Sequence, residues 1–307
     1  SVLTVSAQDI YIHDGKIYDT NSGKLSSEKT IIISDTKIKS IENGYKEASN
    51  DDIKIYDLKS KVVLPGLIDF HVHMESQSGG QDRYVRRFQD NKADVAFRSS
   101  VIAKKTLMSG FTTVRDVGGS GVNISLRNAI NNGVIPGPRI FTSGKTIATT
   151  GGHGDRTNGF RDDLVDDPGP EQGVVNSIAD ARKAVRYRYK NGADLIKITA
   201  TGGVMSLARN GQNPQFTEEV IREIVKTADD YGMHVAAHAH GDEGMFRAVN
   251  AGVTTIEHGS IMSYRTMRLM KEKQTYLVPT ISAGEHVAKM AKIPGYYPEI
   301  IIPKALE

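Results

Sequence analysis

His71 and His73 close an apolar run, Leu67-Ile68-Asp69-Phe70-His71-Val72-His73. Side chains two apart on a strand point to one face, so both imidazoles converge as half a metal site would require. Val235-Ala236-Ala237-His238-Ala239-His240 repeats that spacing, and Thr255-Ile256-Glu257-His258-Gly259 supplies a third strand-terminal histidine. Any one of them alone reads equally as a strand cap. A buried neutral imidazole needs partners for both nitrogens, so core packing is a costly account of all three placements. Imidazole ligands without thiolate favour zinc, with manganese, iron and cobalt as alternatives. His234 begins a strand at the end opposite His238 and reads as structural. His13 reads as an exposed strand position, and His286 has no assigned role.

Lys197 stands in Asp194-Leu195-Ile196-Lys197-Ile198-Thr199, an apolar strand with no room for a solvated charge. Two readings follow. An ion pair with a nearby aspartate, Asp116 being one candidate, would neutralise it. Alternatively, desolvation lowers the amine's pKa, and the free amine adds carbon dioxide. The carbamate is then an anionic ligand able to bridge two metals, balancing charge that imidazoles leave uncompensated.

These side chains need a frame. The chain has 307 residues, a formal charge of +3, and neither Cys nor Trp. Disulfides, thiolate metal sites and a cysteine nucleophile are therefore excluded. The small net charge gives no reason to expect nucleic acid or a membrane surface as partner. The basic run from Arg182 to Lys190 has apolar residues at helical spacing, and reads as a solvated helix face. No apolar stretch approaches the ~20 residues of a membrane span. The opening Ser1-Val2-Leu3-Thr4-Val5-Ser6-Ala7 is like the tail of a secretory leader. A cytoplasmic or a bacterial periplasmic location is compatible with it.

Residues 8–64 read as short strands with tight turns, a small β-sandwich domain in which Asp14-Gly15 is a hairpin turn. From Pro65 the rhythm becomes strand, loop, helix. Strands are expected over 67–72, 111–115, 139–142, 194–199, 234–239, 254–257 and 275–279. Helices are expected over 92–108, 124–131, 174–190, 217–231, 244–250 and 264–273. This alternation predicts parallel strands with helices outside, as a doubly wound sheet or a barrel. Polar residues at the C-terminal ends of several strands favour the barrel. No Gly-rich fingerprint opens a helix after a strand, which argues against the dinucleotide fold. Gly118-Gly119-Ser120-Gly121 is read as a flexible loop, and the long Gly/Thr-rich segment 145–175 as functional.

Together the motifs resemble the amidohydrolase superfamily. They are Val63-Leu64-Pro65-Gly66-Leu67-Ile68-Asp69-Phe70-His71-Val72-His73, Lys197 followed by Thr201-Gly202-Gly203, His238-Ala239-His240-Gly241, and Ile256-Glu257-His258-Gly259. With Thr150-Gly151-Gly152-His153-Gly154, the likeness is to the branch of Xaa-Pro dipeptidases (prolidases) and related carboxypeptidases. The resemblance implies an α/β fold, a (β/α)8 TIM barrel over 65–307 joined to the small β-sandwich over 1–64. It implies two divalent ions, zinc by default. His71 and His73 would hold the more buried ion and His238 and His258 the more exposed one, with carboxylated Lys197 between them. His153 and His240 would face a small substrate, a dipeptide or N-acyl amino acid, whose amide bond is hydrolysed. Cyclic-amide opening, deamination and a non-catalytic fragment are the alternatives, and a homo-oligomer is left open.

One departure stands out. The family takes a general-base Asp from the eighth strand, yet no Asp follows Asp242. The expectation is that the last βα unit and the strands completing the sandwich lie beyond Glu307, and that Asp with them. Glu285 and Glu307 would be accidental substitutes.

Overall fold

The computed structural model describes residues 9–77, 80 and 82–307. The leader-like opening, residues 1–7, lies outside them. The chain divides into two compact units, residues 1–66 and 67–307.

In the first unit β1 (Ile10–Asp19), β2 (Lys24–Ser34), β3 (Lys37–Asn43) and β4 (Lys54–Val63) form one sheet in the order β3-β2-β1-β4. A second sheet, which a sandwich requires, is not among the described residues of this unit. The expected turn at Asp14-Gly15 is a correction: β1 runs straight through it and reverses only after Asp19. The parallel pairing with β4 overrides the local turn preference. A Cβ on Gly15 would lie 2.1 Å from the Lys59 carbonyl oxygen, so this glycine serves a close backbone approach at a register shift. His13 is corrected with it. It is buried, its Nε2 hydrogen-bonds Lys46 O at 2.9 Å, and its ring leans on Tyr45.

The second unit alternates strand and helix. Its strands are β5 (Leu67–Val72), β6 (Phe111–Asp116), β7 (Arg139–Thr142), β8 (Ile196–Thr199), β9 (Val235–Ala239), β10 (Thr255–His258) and β11 (Tyr276–Val278). All pairings among them are parallel, in the orders β5-β6-β7 and β8-β9-β10-β11. The two groups meet where Ile147 bridges Ile198 just beyond β7. The helices are α1 (Asp82–Gln89), α2 (Lys92–Met108), α3 (Val122–Asn131), α4 (Ile178–Lys190), α5 (Glu218–Asp229), α6 (Asp242–Ala251), α7 (Tyr264–Lys273), α8 (Ile281–Ala291) and α9 (Ile302–Leu306).

Local chemistry sets several boundaries. α4 starts at Ile178, four residues later than its pattern suggests, because Val174 pairs with Ala148 and Ser177 caps the helix through Asp180 N. α6 starts earlier than expected, with Asp242 and Glu243 in its first turn, where carboxylates complement the helix dipole. β8 and β9 are buried on both faces, and Ile196, Ile198, Val235 and Ala237 pack with Ile221, Ile224 and Met245 of α5 and α6 in the main core. The outer strands differ. Ile68 and Phe70 of β5 and Tyr276 of β11 are exposed, and among the described residues no pairing joins β11 to β5.

The wall of strands is strongly curved. Five inter-strand steps separate β5 from β10, about 24 Å on a flat sheet. Yet the rings of His71 and His258 are 4.8 Å apart between centroids. Curvature brings the strand ends around a common interior.

Candidate metal centre

His71 lies near the end of β5, and His73 one residue past it; their rings are 5.4 Å apart. His258 ends β10 with φ of 72°, a left-handed conformation that a non-glycine residue holds only where its surroundings insist. Its ring lies 4.7 Å from that of His238 and 4.9 Å from that of His240. His153, from the long loop after β7, stacks on His238 at 4.3 Å. All six histidines read from the sequence as site residues are thus joined by ring contacts. His234 and His286 are exposed, on the start of the β9 segment and on α8.

Five of the rings have one nitrogen tied to an outer oxygen. His73 Nδ1 donates to Gly118 O at 2.8 Å, and His238 Nε2 donates to Gly202 O at 2.9 Å. His71 Nδ1 meets Glu257 Oε2 at 2.8 Å, His240 Nδ1 meets Ser260 Oγ at 2.8 Å, and His258 Nδ1 meets Thr280 Oγ1 at 2.7 Å. A carbonyl can only accept, so His73 carries its proton on Nδ1 and His238 on Nε2. The other nitrogen of each ring then bears the lone pair. Outer oxygens that fix a tautomer in this way are what metal-ligating histidines use.

For His71, His238, His240 and His258 burial is the largest cause of the pKa shift, and it favours the neutral ring. His71, His238 and His258 are held below the usual imidazole range, and His240 is brought to about 4. The Lys197 charge pushes the same way. A neutral imidazole is the ligating form.

Lys197 is 3 % exposed, and its Nζ has no hydrogen-bond partner among the described residues. Burial brings its pKa down to about 8, although Glu257 pulls it upward. Of the two readings of Lys197, the ion pair with Asp116 is not formed among the described residues. Asp116 instead accepts from Met74 N, Gly118 N and Asn123 Nδ2, and burial pushes its carboxyl up to about 7. The interior amine is thus not half of a salt bridge with Asp116, and burial makes it easier to deprotonate than an exposed lysine.

Sequence reasoning quoted Glu257 within a motif but gave it no role. It is fully buried, and besides His71 it accepts from Arg115 Nη2 of β6 at 2.6 Å. Burial alone would raise its carboxyl; His71, Lys197 and Arg115 outweigh that and hold it at about 2. The anion is thus fixed beneath the histidines. A signal existed in the acid placed one residue before His258 on a buried strand.

The donor set fits a metal. Ligand-capable nitrogens of His238, His240 and His258 lie within 4.8 Å of one another. Two nitrogens on a tetrahedral zinc sit about 3.4 Å apart, so these three would draw closer together to share one ion. His240, expected to face substrate, therefore stands as near to His238 and His258 as a ligand would. His153 is not a loose loop residue: Asp155 ties its loop through Gly151 N and Thr157 N, and Gln215 Oε1 accepts from His153 N. Gly203 lies under its ring, and a Cβ there would be 2.2 Å from His153 Cε1. Glu307 hydrogen-bonds Gln212, and Glu285 lies exposed on α8.

A family profile, that of the amidohydrolase family, matches residues 62–305. The chain belongs to the amidohydrolase family. Ochratoxinase of Aspergillus niger is 32% identical over 235 residues, 73% of this chain and 48% of that protein. The chain thus spans about half the length of the curated relatives it matches. Among solved structures, a Xaa-Pro dipeptidase with methionine bound in its active site superposes with a TM-score of 0.93 at 50% identity, covering 97% of this chain and 73% of that one. A prolidase complexed with N-methylphosphonate-L-proline gives 0.85 at 33% identity, covering 97% and 72%. Both structures are of proteins described as a Xaa-Pro dipeptidase or prolidase, the branch that the motifs of this chain resemble.

Proposed function

We propose that the full protein is a metal-dependent, prolidase-like amidohydrolase cleaving the amide bond of a dipeptide or N-acyl amino acid. The observation that carries this reading is the interior amine of Lys197, buried with no hydrogen-bond partner among the described residues, on the strand beside the one that carries His238. Two divalent ions, zinc by default, would be held by His71, His73, His238, His258 and the Lys197 carbamate. When bound they would supply an acidified water as nucleophile and Lewis acidity toward the amide carbonyl.

The chain's own residues do the rest. Addition of carbon dioxide to the Lys197 amine forms an N–C bond and releases one proton, turning an unpartnered base into an anion. Glu257, itself held by Arg115, engages Nδ1 of His71 and leaves the other ring nitrogen for a ligand. His153 would donate to the substrate's carbonyl oxygen or to its free carboxylate, and His240, whose ring also contacts His238, would offer a second polar contact. The proton that the leaving amine must receive would come from a general-base Asp of the kind that the resemblance implies.

The test is turnover of a panel of Xaa-Pro dipeptides, other dipeptides and N-acyl amino acids by the full-length protein. Activity lost to a chelator and restored by zinc supports the reading. Turnover confined to cyclic amides or amino-substituted rings redirects it, and bound metal without any turnover refutes it.

A further inference from the structure

Residues 201–214 leave β8, cross beside the histidines and return. Gly202 N donates to Asn213 O at 3.0 Å, and Thr201 bridges Pro214. The inner edge of this loop does two things for the site. Gly202 O takes the Nε2 proton of His238, and Gly203 forms the floor under the His153 ring. Gly202, Gly203 and the residues up to Asn210 belong to no helix or strand, so their peptide groups have no ladder to satisfy them.

The outer edge of the loop is held from α9. Lys304 Nζ donates to Ser206 O at 2.6 Å, Ala208 O at 2.7 Å and Gly203 O at 3.3 Å. An ammonium has three N–H donors, and here three carbonyls take them with no carboxylate in the set. Val204 and Met205 of the same loop pack against Tyr297 and Ile301 beside α9, which fixes the distance from which the lysine reaches. Charge-assisted bonds to carbonyls are stronger and more directional than neutral ones, so one side chain sets the height of the whole bend.

We propose that Lys304 is a positioning residue of the site, its ammonium holding the 203–208 bend so that Gly202 O orients His238 and Gly203 seats His153. The kinetic part of this inference rests on the amidohydrolase reading given above; the structural part does not. Lys304 touches none of the histidines, and its effect is transmitted through peptide carbonyls.

The sequence given contains no cysteine, which makes a direct exchange of the ammonium practicable. In the metal-loaded Lys304→Cys variant, 2-bromoethylamine rebuilds a lysine-like ammonium as the thiolate displaces bromide, and iodoacetamide installs a neutral group of similar reach. KM for a cleaved dipeptide is read beside the long-range 15N spectrum of the imidazoles, with His238→Asn identifying the His238 signals. The neutral form is expected to raise KM about tenfold with kcat within about twofold, as loss of a charged hydrogen bond would. It is also expected to shift or broaden the His238 resonances, and aminoethylation should reverse both changes. Equal KM values and unchanged His238 resonances in the two alkylated forms would overturn the proposal. If the cysteine variant does not fold, Lys304→Gln must show the same two changes, and wild-type behaviour there overturns it equally. If no dipeptide or N-acyl amino acid is cleaved by any form, the hydrolase reading fails while the His238 spectrum still decides the role of Lys304.

Discussion

The carboxylate of Glu257, on β10, holds Nδ1 of His71, on β5, at 2.8 Å from across the curved wall of strands. Arg115 grips the other carboxylate oxygen at 2.6 Å and also donates to Phe70 O at 2.7 Å, just before His71. Glu257 therefore orients a proposed ligand and anchors the strand that carries it. Glu257→Gln removes the charge while keeping the shape. Metal affinity is expected to fall roughly tenfold to a hundredfold, the usual effect of losing an outer hydrogen-bond partner of a ligand. Arg115, which is partly buried, also loses its counter-charge, costing about 1.5–3 kcal/mol of stability, as for a hydrogen bond to a charged group. Metal titration followed by competition with a chelator measures the first, and urea unfolding the second. Wild-type values in both would contradict the assigned role.

Lys197→Ala should abolish binuclear binding. The variant is expected to retain at most one tightly held ion per chain, against the two proposed for the parent. In the parent, 13C-bicarbonate should give a carbamate carbon resonance that the variant lacks. Two ions per chain in the variant would refute the bridge.

Gly203→Ala probes the seat of His153. The added methyl would meet the ring at 2.2 Å, far inside contact distance, so the ring must move. Displacements of about 1 Å in a positioning group commonly cost on the order of a hundredfold in rate, and kcat/KM should fall by about that much. His153→Ala should do similar harm while leaving metal content unchanged. If both act on one contact, the double variant is no worse than the worse single one. Additive losses would show that Gly203 serves something else.

Acid should destabilise the metal-free protein. His71, His238 and His258 have folded pKa values depressed below the unfolded imidazole value of 6.5, and His240 is brought to about 4. Below 6.5 the unfolded chain takes up protons that the folded chain refuses, so stability is lost as pH falls through that window. Asp116, raised to about 7, acts oppositely, gaining stability as pH falls from about 7 toward 3.8. Several rings against one carboxyl leave a net loss. Thermal unfolding of chelator-treated protein between pH 7 and pH 4 should show a falling midpoint, and zinc should raise the curve most at neutral pH. A midpoint that rises toward pH 4 would contradict the neutral state assigned to the rings.

Much of the second unit was legible in the sequence because its signals are local and periodic. Alternation along β5 and β9 is enough to put His71 beside His73 and His238 beside His240, since strand geometry leaves no other choice. The lysine in β8 was equally visible, because a charge in a continuous apolar run contradicts its surroundings. Local signals failed where a distant strand outvoted them. Asp14-Gly15 has the form of a turn, but pairing with β4 carries β1 through it, and His13 goes into the interior as a result. Spacing alone left two readings of Lys197 open, and the tertiary structure chose between them: Met74 N, Gly118 N and Asn123 Nδ2 occupy Asp116, the one acid named as a partner.

What the sequence determined is the donor chemistry: neutral imidazoles at strand ends and one amine without water. Tertiary structure decided which atoms meet. His71 and Glu257 are 186 positions apart, and Arg115 and Glu257 are 142 apart. Residues so distant carry no mutual period or spacing. Only the curvature of the strands, which turns a flat separation of about 24 Å into contact, brings them together.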